Sequence, residues 1–265
     1  MFSVYPLLTS NYVVPVAQCF QGNSFNFSGT GSYTGVINAN WDFGSGASPP
    51  TANTMTVNNV TYNAPGTYTV LFTISQNSCT ATTTKTIEVY QSPQAAIGNF
   101  TTSGCAPLTV SFNNLSTAAT SMAYTWNFSD GTTSTATNPV KTFTAAGIYT
   151  VSLTAITNQQ CIDTSQVTAV NTITVVGIPT SSFNIASVSG LCFTNNLFNF
   201  ANSSTTSGNA SYTWNFDSHA SVQTSTTTNQ SNVNYNTPGA HTITLTVNEA
   251  GCINTSTQSI VLYND

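Results

Sequence analysis

The chain has 265 residues, of which only 3% are charged: two lysines (Lys85 and Lys141), no arginine and seven acids. Clustered Lys and Arg are what bind phosphates, so this composition argues against nucleic acid as a partner and against anionic membrane surfaces. Hydrophobic residues still reach 40%, enough to bury cores and too many for a disordered chain, yet no run approaches the ~18 apolar residues of a membrane span.

Thr, Ser and Asn carry the polar surface in place of charges. Thr suits a half-exposed strand and Asn and Ser suit turns, so the expected class is all-β. The opening MFSVYPLLTSNYVVPV lacks a basic stretch and is broken by Pro6 and Pro15, so it does not read as a leader peptide. MFSVY resembles the end of a closing strand, and the chain is expected to be a mature or excised segment of a longer array. After Cys19 comes the alternating run SFNFSG from Ser24, then NANWDFGSG around Trp41, then Tyr62 ahead of the turn and strand APGTYTVLFTI from Ala64. Cys79 follows, and KTIEVY closes the unit at Tyr90.

The same phrases then return. Past the joint QSP (Gln91 to Pro93) come Cys105, LTVSFNN from Leu108, YTWNFSDG around Trp126, Phe143, AAGIYTVSLTAI from Ala145, Cys161 and NTITVV. Past GIP (Gly177 to Pro179) come Cys192, LFNFAN from Leu197, YTWNFDSH around Trp214, Tyr235, TPGAHTITLTV from Thr237, Cys252 and QSIVLY. The tryptophans are 85 and 88 residues apart, and the turn glycines Gly66, Gly147 and Gly239 follow them by 25, 21 and 25. Strict period-2 alternation marks strands with one buried face, and regularly spaced turns in ~87-residue units predict two-sheet sandwiches. The expected domains are 1–91, 92–178 and 179–265, joined by short Pro-containing linkers that favour a stiff rod.

The cysteines obey the same grid. One precedes each Trp by 22, 21 and 22 residues, and one follows each turn Gly by 13, 14 and 13. Six cysteines permit fifteen pairings; two per repeat make the intra-repeat set Cys19–Cys79, Cys105–Cys161 and Cys192–Cys252 the simplest expectation. Zinc would need closely spaced pairs with His nearby, and the spacing offers none. Disulfides in turn imply an oxidising, exported setting.

The second repeat, GCAPLTVSFNNLS followed by YTWNFSDGTTSTATNPVKTFTAAGIYTVSLTA, resembles a PKD domain, the polycystic kidney disease repeat family. Trp126, Phe128, Asp130, Gly131, Pro139, Phe143, Gly147, Tyr149, Val151 and Leu153 fall on that family's pattern. The outer repeats depart from it, with Ser45 in the first and Ser218 and His219 in the third, while His241 stands where the others have Tyr68 and Tyr149. The paired cysteines resemble those of secreted multidomain proteins of gliding and surface-attached bacteria. The resemblance implies immunoglobulin-like β-sandwiches serving as spacers or adhesive modules without catalysis of their own.

Candidate sites are few. Trp41, Trp126 and Trp214 are predicted core residues, as are Tyr62, Phe143 and Tyr235. Asp42, Asp130 and Asp217 are read as turn-capping residues, because calcium needs six to eight oxygens and each turn brings one carboxylate. Asp130, in SDG, is the one position worth a metal test; no other metal and no cofactor is expected. His219 and His241 lack the acid and nucleophile pattern of a triad, and the dispersed acids lack a glycosidase pair. Lys85 and Lys141, conceivable donors of isopeptide bonds to Asn, occupy unmatched positions and are expected to face solvent. The sequons at Asn26, Asn114 and Asn254 are expected by chance in this composition. The functional expectation is a non-catalytic extracellular rod, part of a surface fibre, filament or adhesin. Its partners would be copies of itself or neighbouring repeats, with a polysaccharide or surface protein as a further one. The alternative is a spacer or substrate-binding accessory module of a secreted hydrolase.

Overall fold

Alternation of Thr with large apolar residues produces strands throughout the computed structural model, which describes residues 7–164, 172–187 and 191–264. Among these residues every regular element is a strand, and no helix is long and apolar enough to cross a membrane. The all-β prediction therefore holds, in three immunoglobulin-like sandwiches. The expected strand end at MFSVY and Pro6 lies outside the described residues.

In the first unit one sheet is ordered Thr9–Tyr12, Phe25–Ser32, Thr56–Tyr62 and Ala47–Ser48. The other is ordered Gln18–Cys19, Cys79–Tyr90, Gly66–Gln76, Asn38–Asp42 and Thr51–Ala52. The third unit repeats this with Phe183–Ser187, Phe198–Asn202 and Gln230–Val233 opposite Thr224–Ser225, Ala210–Phe216, Gly239–Glu249 and Cys252–Leu262. The second has a smaller sheet of Leu108–Ser111 with Val140–Phe143. Opposite it lie Ser103–Cys105, Thr172–Val176, Gly147–Thr157, Met122–Phe128 and Thr133–Ser134, with Ile162–Thr164 also on the long Gly147 strand.

A long strand beginning at the turn Gly is central in each unit. Its inward residues are fully buried: Val70, Phe72 and Ile74; Val151, Leu153 and Ala155; Ile243, Leu245 and Val247. Each Trp pairs directly with the middle of that strand, Trp41 with Phe72, Trp126 with Leu153 and Trp214 with Leu245. All three indoles are buried, and each donates Nε1–H to a carbonyl 2.9 Å away, on Thr54, Ala136 and Thr227. Three separate hydrophobic clusters result, one around each Trp. The expected core aromatics Tyr62, Phe143 and Tyr235 are buried in them.

Candidate functional site at the junctions between repeats

The first cysteine of each unit lies beside the closing strand, in parallel register with its last residues. Cys19 is opposite Tyr90, Cys105 opposite Val176 and Cys192 opposite Tyr263. The second cysteine lies at the far end of the sandwich, at the tip of the long hairpin: Cys79 is opposite Gln76 and Cys252 opposite Glu249. The strand Cys79–Tyr90 is 12 residues long, so Cys19 and Cys79 are separated by about 35 Å at ~3.3 Å per residue. A disulfide requires Cα atoms roughly 4.4–6.8 Å apart. The expected intra-repeat pairing is therefore geometrically closed, and one disulfide per domain is not what forms.

The bonds instead cross the joints. Cys19 pairs with Cys161 and Cys105 with Cys252, with Cα separations of 5.4 and 5.6 Å. The reason is strand polarity. Each closing strand runs from the hairpin tip toward the next linker, so the first cysteine sits at the pole that faces the following unit. The hairpin tip of that unit points back at it. Cys79 and Cys192, expected to be bonded, are free and exposed. Repeat spacing could not separate the two schemes, because shifting every bond by one unit preserves the grid.

Local residues shape each pole. At the first joint Phe20 N donates to Tyr90 O at 2.7 Å, which holds the Cys19 segment against the closing strand. At the second, Ala106 N donates to Val176 O at 2.8 Å. The tip of the third unit carries Glu249, whose carboxylate accepts from the Ser207 amide at 3.0 Å and from its hydroxyl at 2.7 Å. Those donors, the hydroxyl foremost, hold the Glu249 carboxyl below its ordinary range. Open clefts flank both joints. The first is lined by Thr67, Tyr90 and Gln159 among others, the second by Ile148, Val176 and Asn209 among others.

The remaining candidates have structural employment. Asp42, Asp130 and Asp217 each accept, on Oδ1, the amide two residues on: Gly44 at 2.9 Å, Thr132 at 3.1 Å and His219 at 2.9 Å. Turn capping thus describes all three. Asp130 also binds Lys141 at 2.7 Å, and that ammonium, with the Thr132 hydroxyl, lowers its carboxyl to about 2. Lys141 does not simply face solvent: it lies over the rings of Phe128 and Phe143, 5.6 and 5.7 Å from their centroids. Lys85 reaches Asn11 Oδ1 at 2.8 Å and lies 5.1 Å from the Tyr12 centroid. Asn26 braces a bulge by accepting Asn59 N at 3.0 Å.

Two arrangements escaped the sequence reading. His241 is buried, with Nδ1 2.7 Å from Asp217 Oδ2 and Nε2 2.9 Å from Thr237 O. With His219, these side chains bring ligand-type atoms within 4.8 Å of one another. Tyr68 and Tyr149 donate to the carbonyls of Ala64 and Ala145, the same four-residue step back that His241 makes to Thr237. The trio therefore seats a histidine in a position built for Tyr, with both ring nitrogens occupied. The second is a buried amide bracket. Asn23 Nδ2 donates to Phe20 O and Tyr62 O while Oδ1 accepts Tyr62 N. Asn196 repeats it on Phe193 and Tyr235. The sequence signal is an Asn four residues after the first cysteine, present in the outer units and replaced by Thr109 in the middle one.

Family models described as PKD domain match residues 11–91 and 90–173, and another of the same description matches 182–261. Among curated proteins, none matches the chain significantly. Among solved structures, a three-immunoglobulin-domain segment of a titin variant has a TM-score of 0.52 at 15% identity, covering 97% of this chain and 100% of that one. The three N-terminal domains of the bacteriophage RB49 highly immunogenic outer capsid protein have a TM-score of 0.38 at 12% identity, covering 97% and 98%. At that identity the titin likeness bears on fold alone.

Proposed function

We propose, for a chain that belongs to the PKD domain family along all three of its repeats, that it is a non-catalytic structural rod of an extracellular fibre, filament or adhesin. The observation that carries this reading is the placement of the disulfides across the joints. A protein that needed only stable domains would gain as much from a bond inside each one. A bond between neighbours restricts bending and twisting at the linker, which serves a unit that transmits load or holds a fixed reach. Disulfides persist in oxidising compartments, which supports an exported setting. The low charge, 3% of residues, leaves little long-range repulsion between neighbouring rods.

Negative-stain electron microscopy of unreduced surface material from producing cells tests the reading. Ordered fibres or sheets that bind an antibody to this chain are the expected result. Finding the chain only as dispersed three-domain particles, across salt and concentration, would overturn it.

A further inference from the structure

The geometry points to a divalent transition-metal site of the zinc class in the third unit, formed by Asp217, His219 and His241. The chain has two histidines, 22 residues apart, and both converge on one carboxylate. His241 Nδ1 is 2.7 Å from Asp217 Oδ2 and His219 Nδ1 is 3.6 Å from Asp217 Oδ1. All three ligand atoms lie within 4.8 Å of one another. None of these residues is shared with the other repeats. Counted from the Trp or the turn Gly, Asp217 matches Gly44 and Ser129, His219 matches Gly46 and Gly131, and His241 matches Tyr68 and Tyr149. The sandwich forms without them, yet all three departures fall in one unit and meet at one point.

Hydrogen bonding around His241 calls for a cation. Thr237 O, 2.9 Å from Nε2, can only accept, so Nε2–H donates to it. A neutral imidazole has that one N–H, and its Nδ1 lone pair then faces the lone pairs of an ionised Asp217. The contact is repulsive unless a cation, either a second ring proton or a metal ion, lies between them. A histidine anchored to a backbone carbonyl through one nitrogen is also how proteins orient the other nitrogen toward a metal. Asp217 is oriented too, its Oδ1 accepting the His219 amide at 2.9 Å. Tetrahedral zinc with bonds of ~2.1 Å spaces its ligand atoms by about 3.4 Å. The separations of 2.7 and 3.6 Å bracket that value, and the adjustment falls on His219, whose side chain is 50% exposed. The same opening leaves a fourth position to water.

The wall of the site holds an unpaired polar group. Tyr235 stacks on His241 with 4.1 Å between centroids and is 2% exposed. Its hydroxyl has no hydrogen-bond partner among the described residues, whereas the hydroxyl of its counterpart Tyr62 donates to Phe43 O at 3.1 Å. Burial foremost, and then the Asp217 charge, hold the Tyr235 phenol above its ordinary range, so the hydroxyl lies within that carboxylate's field. A water or anion completing the coordination would supply its acceptor. Two imidazoles and one carboxylate suit zinc, copper or nickel, and they offer too few oxygens for calcium.

The test uses the full chain with its disulfides formed, stripped of metal by a chelator and alkylated at Cys79 and Cys192 so that these free thiols do not take up the ion. Calorimetric titration with zinc chloride should give one ion per chain. His219→Gln, at an exposed position, should weaken binding at least about tenfold. His241→Tyr, which restores the residue of the other repeats, should abolish it. NMR of the parent should show zinc moving the Nδ1 signals of both rings while the His241 Nε2–H bond to Thr237 persists. No saturable binding by the parent, unchanged affinity in either variant, or a shift confined to His219 would overturn the site and leave the trio as a proton-held pair with a histidine beside it.

Discussion

His241 shows how one position accepts two chemistries. Its ring stacks on Tyr235 at 4.1 Å between centroids, where Tyr68 packs at a tilt on Tyr62 at 4.0 Å and Tyr149 on Phe143 at 4.5 Å. The step back to the carbonyl four residues earlier is also shared, so His241→Tyr should keep both contacts and stay within about 1 kcal/mol of the parent. His241→Ala removes the stack and opens a cavity, and should cost about 2–3 kcal/mol. Denaturant unfolding followed by the Trp214 signal compares them; equal losses would refute the shared role. Asp130 gives a pH dependence with a defined sign. Its folded pKa, about 2, lies below the ordinary carboxylate value near 3.9. The ion pair therefore stabilises the fold above about pH 4, and that contribution is lost as pH falls from there through about 2. The pair is near the surface, with side-chain exposures of 18% and 26%, so the effect should be under about 1 kcal/mol. NMR titration of the carboxyl should find a midpoint near 2, and Lys141→Met should move it up toward the ordinary range.

At the scale of elements, facing Thr residues do the work that charges do in other sandwiches. Hydroxyls meet across strands at Thr109 and Thr142 (2.9 Å), Thr154 and Thr164 (3.1 Å) and Thr244 and Thr257 (3.2 Å), cross-strand pairs that favour register without a net field. This is why the strands were legible: Thr outward and Val, Ile or Phe inward gives a clean period of two. The amide brackets were not, because a buried Asn looks like any turn Asn until both of its faces are seen to be bonded. Their value is testable by position. Asn23→Ala or Asn196→Ala strips hydrogen bonds from buried backbone and should cost about 2–4 kcal/mol. Thr109→Ala, at the matching place in the middle unit, alters an exposed side chain and should cost about 0.5 kcal/mol or less. Thermal unfolding of the three variants should separate them; similar losses would show that the brackets carry no special weight.

At the scale of the molecule, the sequence repeats its cysteines faithfully but does not say which pole of the sandwich each occupies. That follows only from strand direction, since the closing strand Cys79–Tyr90 runs once from hairpin tip to linker and so sets the two cysteines of the first unit at opposite poles. Once the poles are known, the crossed bonds determine the response to force. The first disulfide closes a loop with a sequence separation of 142 and the second one of 147, and the two loops overlap between Cys105 and Cys161. A pull on the termini loads the chain as far as Cys19 and crosses to Cys161. It then runs backward to Cys105 and crosses to Cys252 and the end. Only about 90 residues lie on that path, so full extension should stop near 300 Å, against about 900 Å for the reduced chain at ~3.5 Å per residue. Single-molecule pulling should therefore show unfolding of the middle unit and peeling of the terminal strands Thr9–Tyr12, Gln18–Cys19 and Cys252–Leu262 from the outer two, whose other strands stay off the load path, and added reductant should release the remaining length. Three equal unfolding steps in the oxidised protein would mean that the bonds lie within the repeats after all.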